Sequence, residues 1–426
     1  MSAELSQSPL TSPLSAADID EAVQRISGVV RRSPLQYSER LSEATGATVF
    51  LKREDLQTVR SYKLRGAHNL LMQLSDKEIA AGVVCSSAGN HAQGFAMACR
   101  SMGIHGRVYV PAKTPKQKRD RIRYHGREFI ELIAIGKTYD EAAAAALDDV
   151  ARTGATLVPP YDDLRTMAGQ GTIAAEILDQ LDSEPDLVIV PVGGGGCISG
   201  ITTYLAERTT GTSVLGVEPA GAAAMIAALA AGEPVTLDHV DQFVDGAAVN
   251  RAGNLTYAAL AAAGDMVSIT TVDEGAVCTA MLDLYQNEGI IAEPAGALSV
   301  AALMEADIEP DSTVVCLISG GNNDVSRYNE VLERSLVHLG LKHYFLVDFP
   351  QEPGALRRFL DTVLGPSDDI TLFEYVKRNN RDTGEALVGI ELGSAADLEG
   401  LLERMKASDI HVENLEPGSP AYRYLL

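Results

Sequence analysis

The stretch Asp186-Leu-Val-Ile-Val-Pro-Val-Gly-Gly-Gly-Gly-Cys-Ile-Ser-Gly200 decides the fold class. Leu187 to Val192 is a short, β-branched apolar run, the pattern of a strand buried on both faces of a parallel sheet. It empties into four consecutive glycines, Gly193 to Gly196, and the residues from Ile198 onward have helical spacing. Strand, glycine turn and helix start together make an anion cradle. Without Cβ atoms several main-chain N–H groups can converge on a phosphate, and the helix N-terminus adds partial positive charge. The loop has neither the Lys-Ser/Thr of a P-loop nor the spacing of a GxGxxG dinucleotide turn. A tight turn with no ligand would also use glycine, but four in a row cost more chain entropy than a turn requires. We therefore read the loop as a phosphate site.

Outward from this stretch the same pattern repeats. Ala47 to Lys52, Gly82 to Cys85, Gly106 to Val110, Glu128 to Ile133, Ser213 to Val217 and Thr313 to Ile318 read as strands, with amphipathic or Ala-rich helices between them. Alternation of this kind predicts an α/β fold with parallel sheets. Ser15 caps a helix expected over Ala16 to Val30, and the Ser/Pro-rich residues 1–15 are expected to be a mobile arm. After Leu339 the composition changes. Lys342 to Pro350, Thr371 to Lys377 and Glu385 to Leu392 read as strands, the last two flanking a polar hairpin at Arg378 to Gly384. Helices are expected from Glu352 and over Ala396 to Lys406. The order β-α-β-β-α predicts a ferredoxin-like α+β module of the kind that binds amino acids, with a dimerisation module as the alternative.

Composition limits the function. A net charge of −23 argues against nucleic acid and anionic membranes as partners. Five scattered cysteines, with no C-x-x-C pair, suit a reducing cytoplasm better than a disulfide framework or a zinc site. No leader with a basic start and apolar core is visible, and no apolar run is long enough to span a bilayer.

Four more stretches carry chemistry. In Thr58-Val-Arg-Ser-Tyr-Lys-Leu-Arg-Gly-Ala67, Lys63 stands just inside a helix start with Ser61 as cap candidate. Neighbouring Arg60 and Arg65 and the helix N-terminus all disfavour an ammonium, so they push Lys63 toward the neutral amine that a Schiff base needs. Cys85-Ser-Ser-Ala-Gly-Asn-His-Ala-Gln-Gly94 joins a strand to a helix, and its small residues and main-chain donors suit a carboxylate. An ordinary capped helix with His91 packed in the core is the competing reading. Glu293, in Ala292-Glu-Pro-Ala-Gly-Ala-Leu298, stands before a helix, where capping explains it nearly as well as chemistry. Cys316-Leu-Ile-Ser-Gly-Gly-Asn-Asn323 ends a buried strand in Ser319 and two glycines, and strand C-termini are where α/β sheets hold ligands. A phosphate cradle, an activated lysine and a carboxylate loop together suggest pyridoxal 5'-phosphate carrying an amino acid.

The set Ser-Tyr-Lys-Leu-Arg-Gly-Ala, Ser-Ala-Gly-Asn-His-Ala-Gln-Gly, Val-Gly-Gly-Gly-Gly, Glu-Pro-Ala-Gly-Ala and Ser-Gly-Gly-Asn resembles the fold-type II (tryptophan synthase β-like) pyridoxal phosphate enzymes, and among them the threonine dehydratase family. The tail from Lys342, with Phe-Pro-Gln-Glu-Pro-Gly-Ala-Leu, is similar to the ACT-like regulatory domain of biosynthetic members. The resemblance implies a catalytic region over 16–335, with a smaller lobe at about 60–165 inserted in a larger one, and a regulatory domain over 340–426. It implies Lys63 as Schiff-base lysine and Cα base, and Gly193, Gly194, Gly195, Gly196 and Cys197 at the phosphate. Asn90 would meet the ring hydroxyl, Ser319 the pyridine nitrogen, and Ser87, Ala88, Gly89 and His91 the substrate carboxylate. A hydroxyl draws less charge into the ring than a carboxylate would, which favours elimination over transamination.

The implied reaction converts L-threonine, and with it L-serine, to a 2-oxo acid and ammonia, with isoleucine as effector and a homotetramer as the assembly. Ala88 stands where related serine racemases carry a second acid/base serine, so racemisation is not expected. Glu218 is the one side-chain oxygen ligand in Val217-Glu-Pro-Ala-Gly-Ala-Ala-Ala224, so no metal is expected. A serine dehydratase or β-replacement enzyme of the same fold is the nearest alternative, and a non-catalytic amino-acid sensor is the alternative from another class.

Overall fold

The computed structural model of the chain describes residues 12–375, 382–416, 419 and 422. It divides into two compact units, Met1–Asn323 and Asp324–Leu426.

In the first unit the strand read from the opening stretch, Leu187–Pro191, lies inside a six-stranded sheet. The sheet order is Leu35–Tyr37, Thr48–Arg53, Thr313–Ile318, Leu187–Pro191, Ser213–Pro219, Val267–Val272. Every pairing is parallel except that of the first, short strand. Val188, Ile189 and Val190 are fully buried, as strands covered by helices on both faces must be. Each such side chain removed from water contributes about 1.5–3 kcal/mol. A second sheet, wholly parallel, has the order Ile130–Ala134, Gly106–Val110, Val83–Ser86, Thr156–Leu157. In sequence it falls between the Thr48–Arg53 and Leu187–Pro191 strands of the larger sheet.

Helix contacts fix where the strand ends meet. A Cβ at Gly94, in helix Asn90–Met102, would lie 2.9 Å from the Leu64 nitrogen in helix Lys63–Leu71. One at Gly200, in helix Gly196–Arg208, would lie 2.3 Å from the Met167 carbonyl oxygen in helix Leu164–Gln180. Both glycines are therefore required by backbone-to-backbone packing. Arg65 is buried within the same layer. Its guanidinium bonds Glu54 at 2.8 and 2.7 Å and Glu176 at 2.8 and 2.9 Å, so the helix that begins with Lys63 is tied down by ion pairs.

The expected arm falls outside the described residues as far as position 11. Beyond it the chain is packed: Leu14 is buried beside Ile19, Ala22 and Met167, and Ser15 makes a capping box with Asp18 at the start of helix Ala16–Ile26.

The second unit has an antiparallel sheet in the order Asp369–Tyr375, Thr383–Glu391, Lys342–Pro350, His411–Asn414. Helices Ala355–Thr362 and Asp397–Ala407 pack on it through Phe345, Val347, Phe359, Val388, Ile390, Leu401 and Met405. The strand His411–Asn414 completes a β-α-β-β-α-β order in which the sequence reading lacked the last strand. Helix Tyr328–His338 precedes the sheet and falls in this unit. Of the expected hairpin at Arg378 to Gly384, the part up to residue 381 lies outside the described residues. Among the described residues no helix is long and apolar enough to cross a membrane.

Candidate active site

Lys63 is the first residue of its helix, capped by Tyr62 without a side-chain bond. The expected cap, Ser61, does not serve: its Oγ is buried with no hydrogen-bond partner among the described residues. The main chain holds the position instead. Ser61 bridges Gly320, and Tyr62 N–H donates to the Ser319 carbonyl at 3.2 Å, so the lysine is pinned to the end of strand Thr313–Ile318. Lys63 Nζ donates to the Pro160 carbonyl at 3.0 Å. Burial pushes its amine down to about 8, against the opposing pull of Cys197 and Glu293. The amine is depressed as the sequence suggested, but the cause differs. Arg65 is engaged by Glu54 and Glu176, and neither it nor Arg60 is among the causes.

The glycine loop lies beside this lysine. Pro160, which accepts from Lys63, is followed by Tyr161, whose ring would be 2.3 Å from a Cβ at Gly194. Cys197, next after the glycines, is buried, and burial pushes its thiol up to about 12 although Lys63 pulls it down. Gly195 has φ +93, and a Cβ there would meet Met225 Cε at 2.4 Å and Thr256 Oγ1 at 2.8 Å. Protein packing thus accounts for part of what the glycines are for, a contribution that sequence cannot separate from ligand binding. Ligand space is indicated by the helix starts instead. In the first unit three described α-helices follow a glycine cap that offers no side chain, after Gly89, Gly195 and Gly253. At the third, the Asp162 carboxylate accepts from the N–H groups of Asn254 and Leu255 at 3.0 and 2.8 Å. Among the described residues no side chain accepts from the helix starts at Gly89 or Gly195, an arrangement suited to an anion.

Ser87, Ala88 and Gly89 lie between strand Val83–Ser86 and helix Asn90–Met102. Ser87 Oγ accepts from Gly89 N–H at 3.3 Å. A Cβ at Gly89 would meet nothing within 4 Å, so the loop opens onto free space. The His91 side chain packs in the core, the competing reading of that residue. Its side chain is buried, with Nε2 against the Val158 carbonyl at 2.8 Å, and burial, aided by Lys63, pushes it down to about 3. A carbonyl only accepts, so Nε2 carries the proton and Nδ1 has none to give. The imidazole is a core group, and what His91 offers a carboxylate is its main-chain N–H.

Asn90 sits at the head of that helix in a chain of side chains. Its Nδ2 is 2.5 Å from Glu293 Oε1, and its Oδ1 accepts from Asn322 Nδ2 at 2.8 Å. Ser319 is buried and its Oγ donates to the Ala295 carbonyl at 3.2 Å. Glu218 spans the N–H groups of Met225 and Ile226 at 2.8 and 2.9 Å, a helix cap.

Comparisons with known proteins give the family. Residues 26–320 match the family described as pyridoxal-phosphate dependent enzyme. The chain belongs to that family. Residues 333–425 match the family described as the C-terminal regulatory domain of threonine dehydratase. As a whole, this pyridoxal-phosphate dependent enzyme is 86% identical over 429 residues to the L-threonine dehydratase biosynthetic IlvA of Mycobacterium tuberculosis, with 100% of each chain covered. It is 61% identical over 413 residues to the protein of that name in Corynebacterium glutamicum, covering 96% of this chain and 95% of the other. Among solved structures, processed threonine deaminase isoform 2 from Solanum lycopersicum superposes with a TM-score of 0.70 at 35% identity, over 77% of this chain and 98% of that one.

The residues present fit the family's cofactor. An amine depressed by burial, an uncapped glycine-led helix start beside it and a buried hydroxyl at a strand end match an aldehyde, a phosphate and a ring nitrogen. Sequence reasoning missed Pro160, Tyr161, Asp162, Thr256 and Asn322, which shape the glycine loop or orient Asn90. The visible signal was limited to the Pro159-Pro-Tyr-Asp-Asp163 turn and the asparagines after Ser319-Gly-Gly.

Proposed function

We propose that the chain dehydrates and deaminates L-threonine to 2-oxobutanoate and ammonia, the committed step toward isoleucine, and that isoleucine inhibits it through the second unit. The observation carrying this is the buried Lys63 amine, down to about 8, beside the glycine-led helix start that no side chain caps. Identity of 86% to a biosynthetic threonine dehydratase along the whole chain supports the choice of substrate.

Pyridoxal phosphate, when bound, supplies an electron-withdrawing ring that stabilises negative charge at the substrate Cα. Gly193 to Gly196 and Cys197 would hold its phosphate through main-chain N–H groups. Lys63 is the amine that would hold the cofactor through its aldehyde, and it would take the Cα proton, a task suited to an amine that burial keeps close to neutral pH. Asn90 would donate to the ring hydroxyl. Ser319 would donate to the ring nitrogen, its hydroxyl turning from the Ala295 carbonyl that it meets at 3.2 Å. Ser87, Ala88, Gly89 and the His91 main chain receive the substrate carboxylate and orient the Cα–H bond toward Lys63. L-Serine fits the same contacts with one methyl fewer. The enzyme works in the cytoplasm as a homotetramer.

Lys63→Ala should abolish both the visible absorption of the bound cofactor and 2-oxobutanoate release; turnover retained in that variant would overturn the assignment. Truncation after Leu339 should leave an active enzyme indifferent to isoleucine, with circular dichroism as the folding control. Persistent inhibition would place the effector elsewhere. Comparing initial rates on threonine and serine, with and without an added thiol, separates dehydration of threonine from serine dehydration or β-replacement. A colourless protein releasing no oxo acid would favour an amino-acid sensor.

A further inference from the structure

Glu293 is the buried carboxylate of the site for which the reaction above has no task. It occupies the cap position of helix Pro294–Glu305 yet makes no side-chain capping bond, and the helix opens with a proline that needs no acceptor. Its Oε1 reaches the other way, 2.5 Å from Asn90 Nδ2. Room is made for it by Gly320, where a Cβ would stand 2.2 Å from that oxygen. The carboxylate and the glycine after Ser319 are thus matched to each other.

Hydrogen bonding fixes which way Asn90 faces. The Val59 carbonyl only accepts, so the Asn322 atom 2.7 Å from it is Nδ2. The same Nδ2 lies 2.8 Å from the Asn90 side chain, whose facing atom must be Oδ1. Asn90 Nδ2 is therefore turned to Glu293, which engages one of its two hydrogens and leaves the other for the pocket. We propose that Glu293 is a positioning residue for Asn90, holding the amide so that an N–H is presented to the oxygen on the cofactor ring. This rests on Asn90 being the ring-hydroxyl partner. Glu293 also sets the charge behind that N–H. Burial pushes it up to about 7, with Asp245 adding to the rise and Asn90, Lys118 and the Asn322 N–H opposing it. Asp245 is itself paired to Lys118 at 2.5 Å, and Lys63 and Tyr62 feel Glu293 from the lysine side.

The test compares wild type, Glu293→Gln and Glu293→Ala as holoenzymes, reading the visible absorption of bound pyridoxal phosphate across the neutral pH range and the cofactor dissociation constant. Glu293→Ala should weaken cofactor binding about tenfold, the loss of one charge-assisted hydrogen bond, and shift the band. Glu293→Gln keeps an oxygen for Asn90 and so retains most of the affinity, but its band should no longer respond to pH where the wild type responds near pH 7. A merely structural glutamate would not separate affinity from pH response in this way. Spectra and pH responses identical to wild type in Glu293→Gln would overturn the proposal, and this variant decides the matter if the alanine form does not fold. A wild-type protein that shows no band with pyridoxal phosphate would instead sink the cofactor reading of Asn90, which keeps the two failures apart.

Discussion

Arg65→Leu should destabilise the first unit by about 3–5 kcal/mol, because it strips the counter-charge from a buried carboxylate. Glu54 has no exposed surface and takes bonds of 2.8 and 2.7 Å from Arg65 Nε and Nη2. Without them it keeps a 3.4 Å contact from Gln57 Nε2. Glu176 loses two bonds as well, though Lys52 Nζ still donates to it at 2.6 Å. A unit of this size unfolds with an entropy of about 0.7 kcal/mol per kelvin, so Tm should fall by about 4–7 °C. The pH dependence gives a sharper check. Burial pushes Glu54 up, Arg65 and then Lys52 and Ser33 together more than reverse this, and the carboxyl sits below its ordinary value. Its contribution is therefore present above the ordinary carboxylate range and is lost as pH falls through the folded value. In the variant the largest opposition to burial is gone and the Glu54 carboxyl rises, so the deficit is largest above the carboxylate range and shrinks in acid. Calorimetric unfolding of both proteins from acid to mildly alkaline pH measures it. An unchanged midpoint, or a deficit that grows toward acid, would refute the account.

Gly195→Ala forces a Cβ onto a residue at φ +93 and against Met225 and Thr256; pyridoxal phosphate affinity should fall about tenfold or more, measured by titrating cofactor into apoenzyme. Glu218, fully buried, is pushed up to about 7 by burial, with the N–H groups of Met225, Ile226 and Ala224 opposing. A raised carboxyl contributes fully below its unfolded value and loses that contribution as pH rises through about 7. Glu218→Gln should remove up to about 3 kcal/mol of this decline, seen as a flatter Tm profile between acid and neutral pH than wild type gives.

The parallel strands were legible because burial on both faces leaves an unbroken apolar run: Gly106–Val110 and Thr313–Ile318 stand where the sequence puts them. Strand His411–Asn414 was not legible, since its polar, mostly exposed residues are held by pairing to Lys342–Pro350. At the site, the order of motifs announced the lysine and the glycine loop. What sequence could not carry was direction. His91 turns inward because Val158 offers an acceptor, Arg65 turns to Glu54, and Ser61 caps nothing because the Gly320 bridge already holds its backbone. Each outcome depends on a residue far along the chain.

That remoteness bears on biosynthesis. The backbone beneath Lys63 is clasped by Ser319 and Gly320, more than two hundred and fifty positions downstream. A growing chain presents the reactive amine well before it presents the residues that clasp it. Until residues 319 and 320 have been made, the backbone at Lys63 lacks these two contacts.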